Sequence, residues 1–398
     1  MSDEDKHGRA WFRPTELNRR RFLKATGVTG LASTAGCLGV GGGDDGGASR
    51  PIEADSVPPS EYSDELNVWN WYFSWRDWAV ENFQNEIDVT VNKPSYSSGA
   101  EVYSKFESGD HSIDNVGLTT DWTNRAMNND HLEPLPVDEM DSWQAIPEYV
   151  KESTREYKSK DGDVYAMPQA VSIFPSLTYN TEVFDGAPES WSVLWDDAYE
   201  GQILMRDSAT SSCSIAAWYT GQDPFDPDDF DEIEEVLEQQ KPLVNTYWSG
   251  YNQARGMFTN EDAVVGPLLD GQTFLARFDN DAPINFTVPE EGTYFNVDDI
   301  VIPKGAPNPM TSLYFVDWAM QPAQSKQLLL TMGYLPPVQQ ENLGDIFSEE
   351  LDAGDITEEE LDFYRWPDEW DDRLVFGRPF DDEVRERYDE IWTAVKSS

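Results

Sequence analysis

Positive charge is scarce in this sequence. Among 398 residues, 28 Lys and Arg stand against 76 Asp and Glu, a net charge of -48. A field of that sign excludes long-range attraction to nucleic acid, and to anionic lipid headgroups. Cysteine is nearly absent: Cys37 and Cys213 cannot make the disulfide framework of a small stapled module. Histidine is as rare, with His7, His111 and His131 only. No His-Glu-x-x-His, no Cys/His zinc pattern and no Gly-x-Ser-x-Gly elbow occurs, so no metal site, no cofactor and no enzymatic activity is expected, although residue type alone leaves paired-carboxylate glycosidase chemistry open. A Ser-His-Asp triad would have to draw on His111 or His131, both in polar contexts. The acidic tract Asp223 to Asp229 lacks the Gly-punctuated, Glu-terminated loop of a calcium hand. Gly41 to Gly46 satisfies G-x-G-x-x-G by letter, but no strand precedes it and no helix follows, so it marks no nucleotide site.

Aromatic residues are abundant: 15 Trp, 17 Tyr and 19 Phe supply apolar surface for a large core despite the charge. The length fits two or three domains of ordinary size. Acid is spread along the whole chain, which fits a protein working in concentrated salt, where carboxylates are screened and hydrated.

The N-terminus reads as an export address. Arg19-Arg20-Arg21-Phe22-Leu23-Lys24 matches the twin-arginine pattern, and a short, Gly-rich apolar stretch follows, too short to span a bilayer. Thr34-Ala35-Gly36-Cys37 is a small-residue lipobox, which makes Cys37 the expected lipid attachment point and residues 1–36 a removable signal. Residues 37–63, rich in Gly, Asp and Pro, form a tether. With Cys37 lipidated, Cys213 has no partner and is expected to be a small buried side chain.

From Leu66 onward the hydrophobic period alternates between strand and helix. Strands are predicted at 66–70, 87–91, 115–119, 164–167, 173–179, 202–206, 263–269 and 299–303. Helices are predicted at 75–83, 122–129, 190–197, 228–240, 272–278, 311–332 and 381–395. This is an α/β chain with mostly parallel sheet, and two lobes fit so many units better than one sheet does. The expected division is 64–168 with 271–308 for lobe 1, and 169–270 with 309–398 for lobe 2.

Ligands of open α/β sheets bind beyond the carboxyl ends of strands. Trp71 and Tyr72 follow the first strand, and Thr119, Asp121 and Trp122 follow a later one. Asp270 opens a helix directly after a strand, where it is either an N-cap or a pocket group. Rings with a few carboxylates suit an organic cation, and rings with polar side chains suit sugars.

Together, Leu66-Asn-Val-Trp-Asn70-Trp71, Tyr165-Ala-Met-Pro168, Tyr179-Asn180, Ser190-Trp-Ser-Val-Leu-Trp195, Tyr199-Glu-Gly201, Phe274-Leu-Ala-Arg277, Pro289-Glu-Glu-Gly292 and Gly333-Tyr-Leu-Pro-Pro337 resemble the extracellular solute-binding proteins of ABC transporters, specifically the spermidine/putrescine-binding group. The strings keep that family's order over nearly the whole mature chain. The resemblance implies a two-lobed periplasmic-binding-protein fold of type II kind, hinged around a cleft. It also implies a polyamine or related cation as ligand, ABC permease subunits as partners, and a place on the outer face of the cell membrane. By position it adds Tyr294 and Asp298 to the candidate site. It also places Ser208 and Ser211 where polyamine binders carry acids, with Asp207 one place away, and Leu269 where they carry Trp. The alternative is a secreted carbohydrate-binding protein or glycan hydrolase using paired acids.

Overall fold

The structure, a computed structural model, describes residues 62–398 together with Ile52, Val57 and Pro59. The export signal, Cys37 and the Gly-rich part of the tether lie outside the described residues.

Two sheets organise the chain. The first is built from β1 (Glu65–Trp69), β2 (Thr90–Asn92), β3 (Asn115–Leu118) and β4 (Met167–Ile173), with the later β10 (Thr293–Val301) and β11 (Leu374–Phe376). β1 lies parallel between β2 and β3, while β10 runs antiparallel to both β3 and β4. The second holds β5 (Ser176–Asn180), β6 (Ile203–Arg206), β7 (Val244–Trp248), β8 (Val265–Leu268) and β9 (Ile284–Thr287), ordered β9-β5-β8-β6-β7. The chain passes between the sheets at 174–175, where the Phe174–Pro175 peptide is cis, at 288–292 and at 377–381.

Helices cover the sheets, several burying a single stripe and those at 209–219 and 309–320 buried nearly all round. α1 (Phe73–Glu86) buries Trp75, Ala79, Val80 and Phe83, and Phe83 meets Phe315 edge-on with ring centroids 5.2 Å apart. α2 (Gly99–Ser108) starts on a Ser98 cap that accepts from the Glu101 amide and ends on left-handed Gly109, as its sequence dictates. α3 (Thr120–Asn128) follows β3 directly. On the second sheet, α4 (Ala209–Tyr219) packs against α5 (Phe230–Gln240) and the C-terminal helix α6 (Asp382–Ser397), joining Cys213, Ile233, Leu237, Tyr388 and Ile391 in one cluster. Cys213 is buried there with its thiol pushed up by desolvation.

The two sheets cut across the expected lobe segments. β9, which lies in the 271–308 segment expected in lobe 1, pairs antiparallel with β5 in the second sheet. The helix Pro309–Met320, expected in lobe 2, packs on the first through Phe315. Period-2 patterning identifies a strand but carries no information about which sheet receives it. The single helix expected at 311–332 is three, at 309–320, 322–325 and 327–332; the first break falls at Gln321, where Pro322 supplies no amide to continue the ladder. The 190–197 segment is 3-10 in form, with Ser190 as its cap.

Candidate functional site

The carboxyl ends of β1, β3 and β6 face a common cleft of about 760 Å³, which β10 and the crossing segments complete. Seven of the ten predicted residues line it: Trp71, Tyr72, Thr119, Asp121, Ser211, Tyr294 and Asp298.

Tyr72 is positioned by the turn that ends β1. Asn70, almost fully buried, accepts from the Tyr72 amide through Oδ1 and donates through Nδ2 to Gln169 Oε1, both at 2.9 Å. Gly117 makes room for this, since a Cβ there would lie 2.9 Å from Asn70 Nδ2. The Tyr72 hydroxyl then donates to Asp298 Oδ2 at 2.7 Å, and Tyr334 packs edge-on with centroids 4.8 Å apart. Burial, with Asp298 beside it, pushes the phenol well above its ordinary pKa, so it stays a donor.

Asp298 comes from β10, where the register shifts between Asp298 and Asp299. Such an irregularity re-aims side chains, and the two neighbouring carboxylates serve different surroundings. Asp298 faces the cleft; Asp299 pairs with Lys158 at 2.6 Å with both side chains fully buried. Desolvation raises Asp298 to about 6, Asp299 adding and Tyr72 and Lys158 opposing. A carboxylate so desolvated gains more from an incoming cation than one in water. Asp121 stands at the rim, its carboxyl raised by the surrounding walls and lowered by Arg385.

Three predicted residues lie elsewhere. The Trp122 ring rests on Gly99, where a Cβ would sit 2.3 Å from it, and packs on Tyr103, because one helical step turns it from Asp121 toward α2. Ser208 caps α4, its hydroxyl accepting from the Ser211 amide. Asp270 is buried beneath the floor, accepting from the Ile173 amide at 3.1 Å and the Gly271 amide at 2.7 Å; burial lifts it to about 7 while those donors oppose. Its neighbour Leu269 lines the cleft instead.

Sequence reasoning missed Arg206, Phe174, Tyr251 and Tyr334. Arg206 ends β6, and its guanidinium lies 4.5 Å from the Phe174 ring centroid, 5.5 Å from Trp248 and 5.7 Å from Tyr251. A basic residue at a strand's carboxyl end in so acidic a chain was the available signal. Ser211 Oγ, buried on the same side, finds no hydrogen-bond partner among the described residues. No group of His, Cys, Asp and Glu able to hold a metal occurs among the described residues, and no described helix is long and apolar enough to cross a membrane.

A two-sheet α/β body with a ring-lined cleft at its strand ends defines a class, the periplasmic-type binding proteins. Residues 78–352 match the family described as bacterial extracellular solute-binding protein, and the chain belongs to that family. It is a family of binding proteins of ABC transporters, not of enzymes. The spermidine/putrescine-binding periplasmic protein 1 of Haemophilus influenzae is 24% identical over 282 residues, 68% of this chain and 75% of that protein. The putrescine/cadaverine-binding protein of Pseudomonas aeruginosa is 22% identical over 284 residues, 66% and 77% of the respective chains. The crystal structure of the spermidine/putrescine transporter substrate-binding protein PotD of Streptococcus pneumoniae superposes with a TM-score of 0.71 at 21% identity, covering 84% of this chain and 99% of that one. The expected two-sheet α/β periplasmic-binding-protein fold is thereby established.

Proposed function

We propose that this protein captures a small ammonium-bearing organic solute, a polyamine or a related cation, and delivers it unchanged to ABC permease subunits. The observation that carries this reading is the Tyr72–Asp298 pair, a desolvated carboxylate held by a phenol and walled by the Trp71 and Tyr334 rings. Ring faces and a formal negative charge both favour ammonium where water is excluded. That the relatives are spermidine/putrescine- and putrescine/cadaverine-binding proteins supports the same class of ligand. The twin-arginine signal and the Cys37 lipobox support export followed by lipid anchoring on the outer membrane face, and the spread of acid supports work in high salt.

A thermal-shift screen in high salt with diamines, polyamines, amino acids and sugars tests the reading. A bound solute at 100 times its dissociation constant stabilises by roughly 2.7 kcal/mol. Stabilisation by a sugar and by no amine would refute the cationic ligand and favour the carbohydrate alternative.

A further inference from the structure

The cleft carries charges of both signs. Asp298 and Asp121 come from the first sheet and its helix α3, whereas Arg206 comes from the second sheet. Arg206 makes no ion pair with any described carboxylate, although acids outnumber basic residues 76 to 28 in the chain. Its nearest acid in sequence, Asp207, is turned away: Lys396 Nζ holds it at 2.6 Å and Trp392 Nε1 donates to it at 3.0 Å. Phe174, Trp248 and Tyr251 support the guanidinium instead, leaving its donors to the cleft. Beside it on α4, the buried Ser211 hydroxyl is also without a partner among the described residues. Tyr251 lies within electrostatic reach of both ends: burial raises its phenol above the ordinary value, with Arg206 opposing and Asp298 adding.

We propose that the solute is a zwitterion, an amino-carboxylate whose ammonium end meets Asp298 and whose carboxylate end meets the Arg206 guanidinium and the Ser211 hydroxyl. This deepens the ammonium part of the reading above and rests on it, and it replaces the second amine of a polyamine with a carboxylate. A guanidinium presents paired N–H donors that match a carboxylate, while a second ammonium at that place would meet a like charge in a desolvated site. Discrimination by leaving a buried group unpaired or opposed is strong, so an ω-amino acid is favoured over the diamine of equal length.

Titration calorimetry of the wild-type protein in high salt, with four-, five- and six-carbon ω-amino acids, diamines and diacids, tests this directly. The expected result is an amino acid bound at least tenfold more tightly than its matched diamine and matched diacid. Arg206→Gln should erase the preference over the diamine, and Arg206→Lys should keep part of it. A diamine that binds as tightly as the matched amino acid overturns the zwitterion while sparing the ammonium reading. A diacid that binds best, with no amine bound at all, overturns both. The wild-type series decides even where Arg206→Gln fails to fold.

Discussion

The turns after β3 and β6 have the same form, a strand running directly into a helix that opens at the cleft, yet they present opposite charge. After β3, Thr119 and Asp121 face the solute space and Trp122 turns back into the packing. After β6, the acid is turned outward onto the C-terminal helix, and Arg206 and Ser211 face inward. A single residue's register decides which sign a strand end offers, so ligand chemistry changes while topology is kept.

The largest way to break that asymmetry is to undermine the acidic wall. Lys158→Met would strand the Asp299 carboxylate beside Asp298 with no counter-charge. We expect a loss of about 3–5 kcal/mol, read from denaturant unfolding. Little change would mean that the Lys158–Asp299 pair is not holding β10 in place.

Next in size, Asp298→Asn should weaken an ammonium ligand by roughly 10- to 100-fold, the range of a charged hydrogen bond. The wild-type pH profile sharpens the point. Asp298 holds its proton more tightly folded than its ordinary value near 3.8 allows, so its contribution to stability is complete below that value and is lost as pH rises through about 6. Ammonium affinity runs the other way, falling as pH drops below about 6, because the ligand takes the ionised form. Calorimetry between pH 5 and 8 should show that fall in the wild type and its absence in Asp298→Asn.

Asp121→Asn, at the rim, should cost up to about fivefold in affinity for an ammonium ligand. An unchanged constant would confine recognition to the floor of the cleft. Smallest, Ser208→Ala should lower stability by about 1 kcal/mol, the worth of a helix cap, and leave ligand preference unaltered. A changed preference would give Ser208 a role in the site that its capping geometry does not show.

Much of this was legible in the residues. The β1 turn announced itself because Trp71 and Tyr72 are large rings where a strand must end, and Asp121 because a helix start follows a strand. What failed was whatever depended on partners distant in sequence. The membership of β9 in the second sheet is fixed by pairing with β5, about a hundred residues earlier. The burial of Asp270 depends on the amide of Ile173, 97 positions away. Arg206 shows in the sequence only as a basic residue at a strand end; that it has no acid partner emerges once Asp207 is seen engaged by Lys396. Ser208 was misplaced for a local reason: a hydroxyl at a helix start has a backbone amide within reach and takes it.

The size of the cleft has a thermodynamic corollary. At roughly 30 Å³ per water molecule, 760 Å³ accommodates about two dozen waters, several times the bulk of a short amino acid. Occupancy by the solute alone would leave most of that volume wet. The greater part of any drying must therefore come from the walls approaching one another, and the heat-capacity decrement on association should exceed what the solute's own apolar surface accounts for.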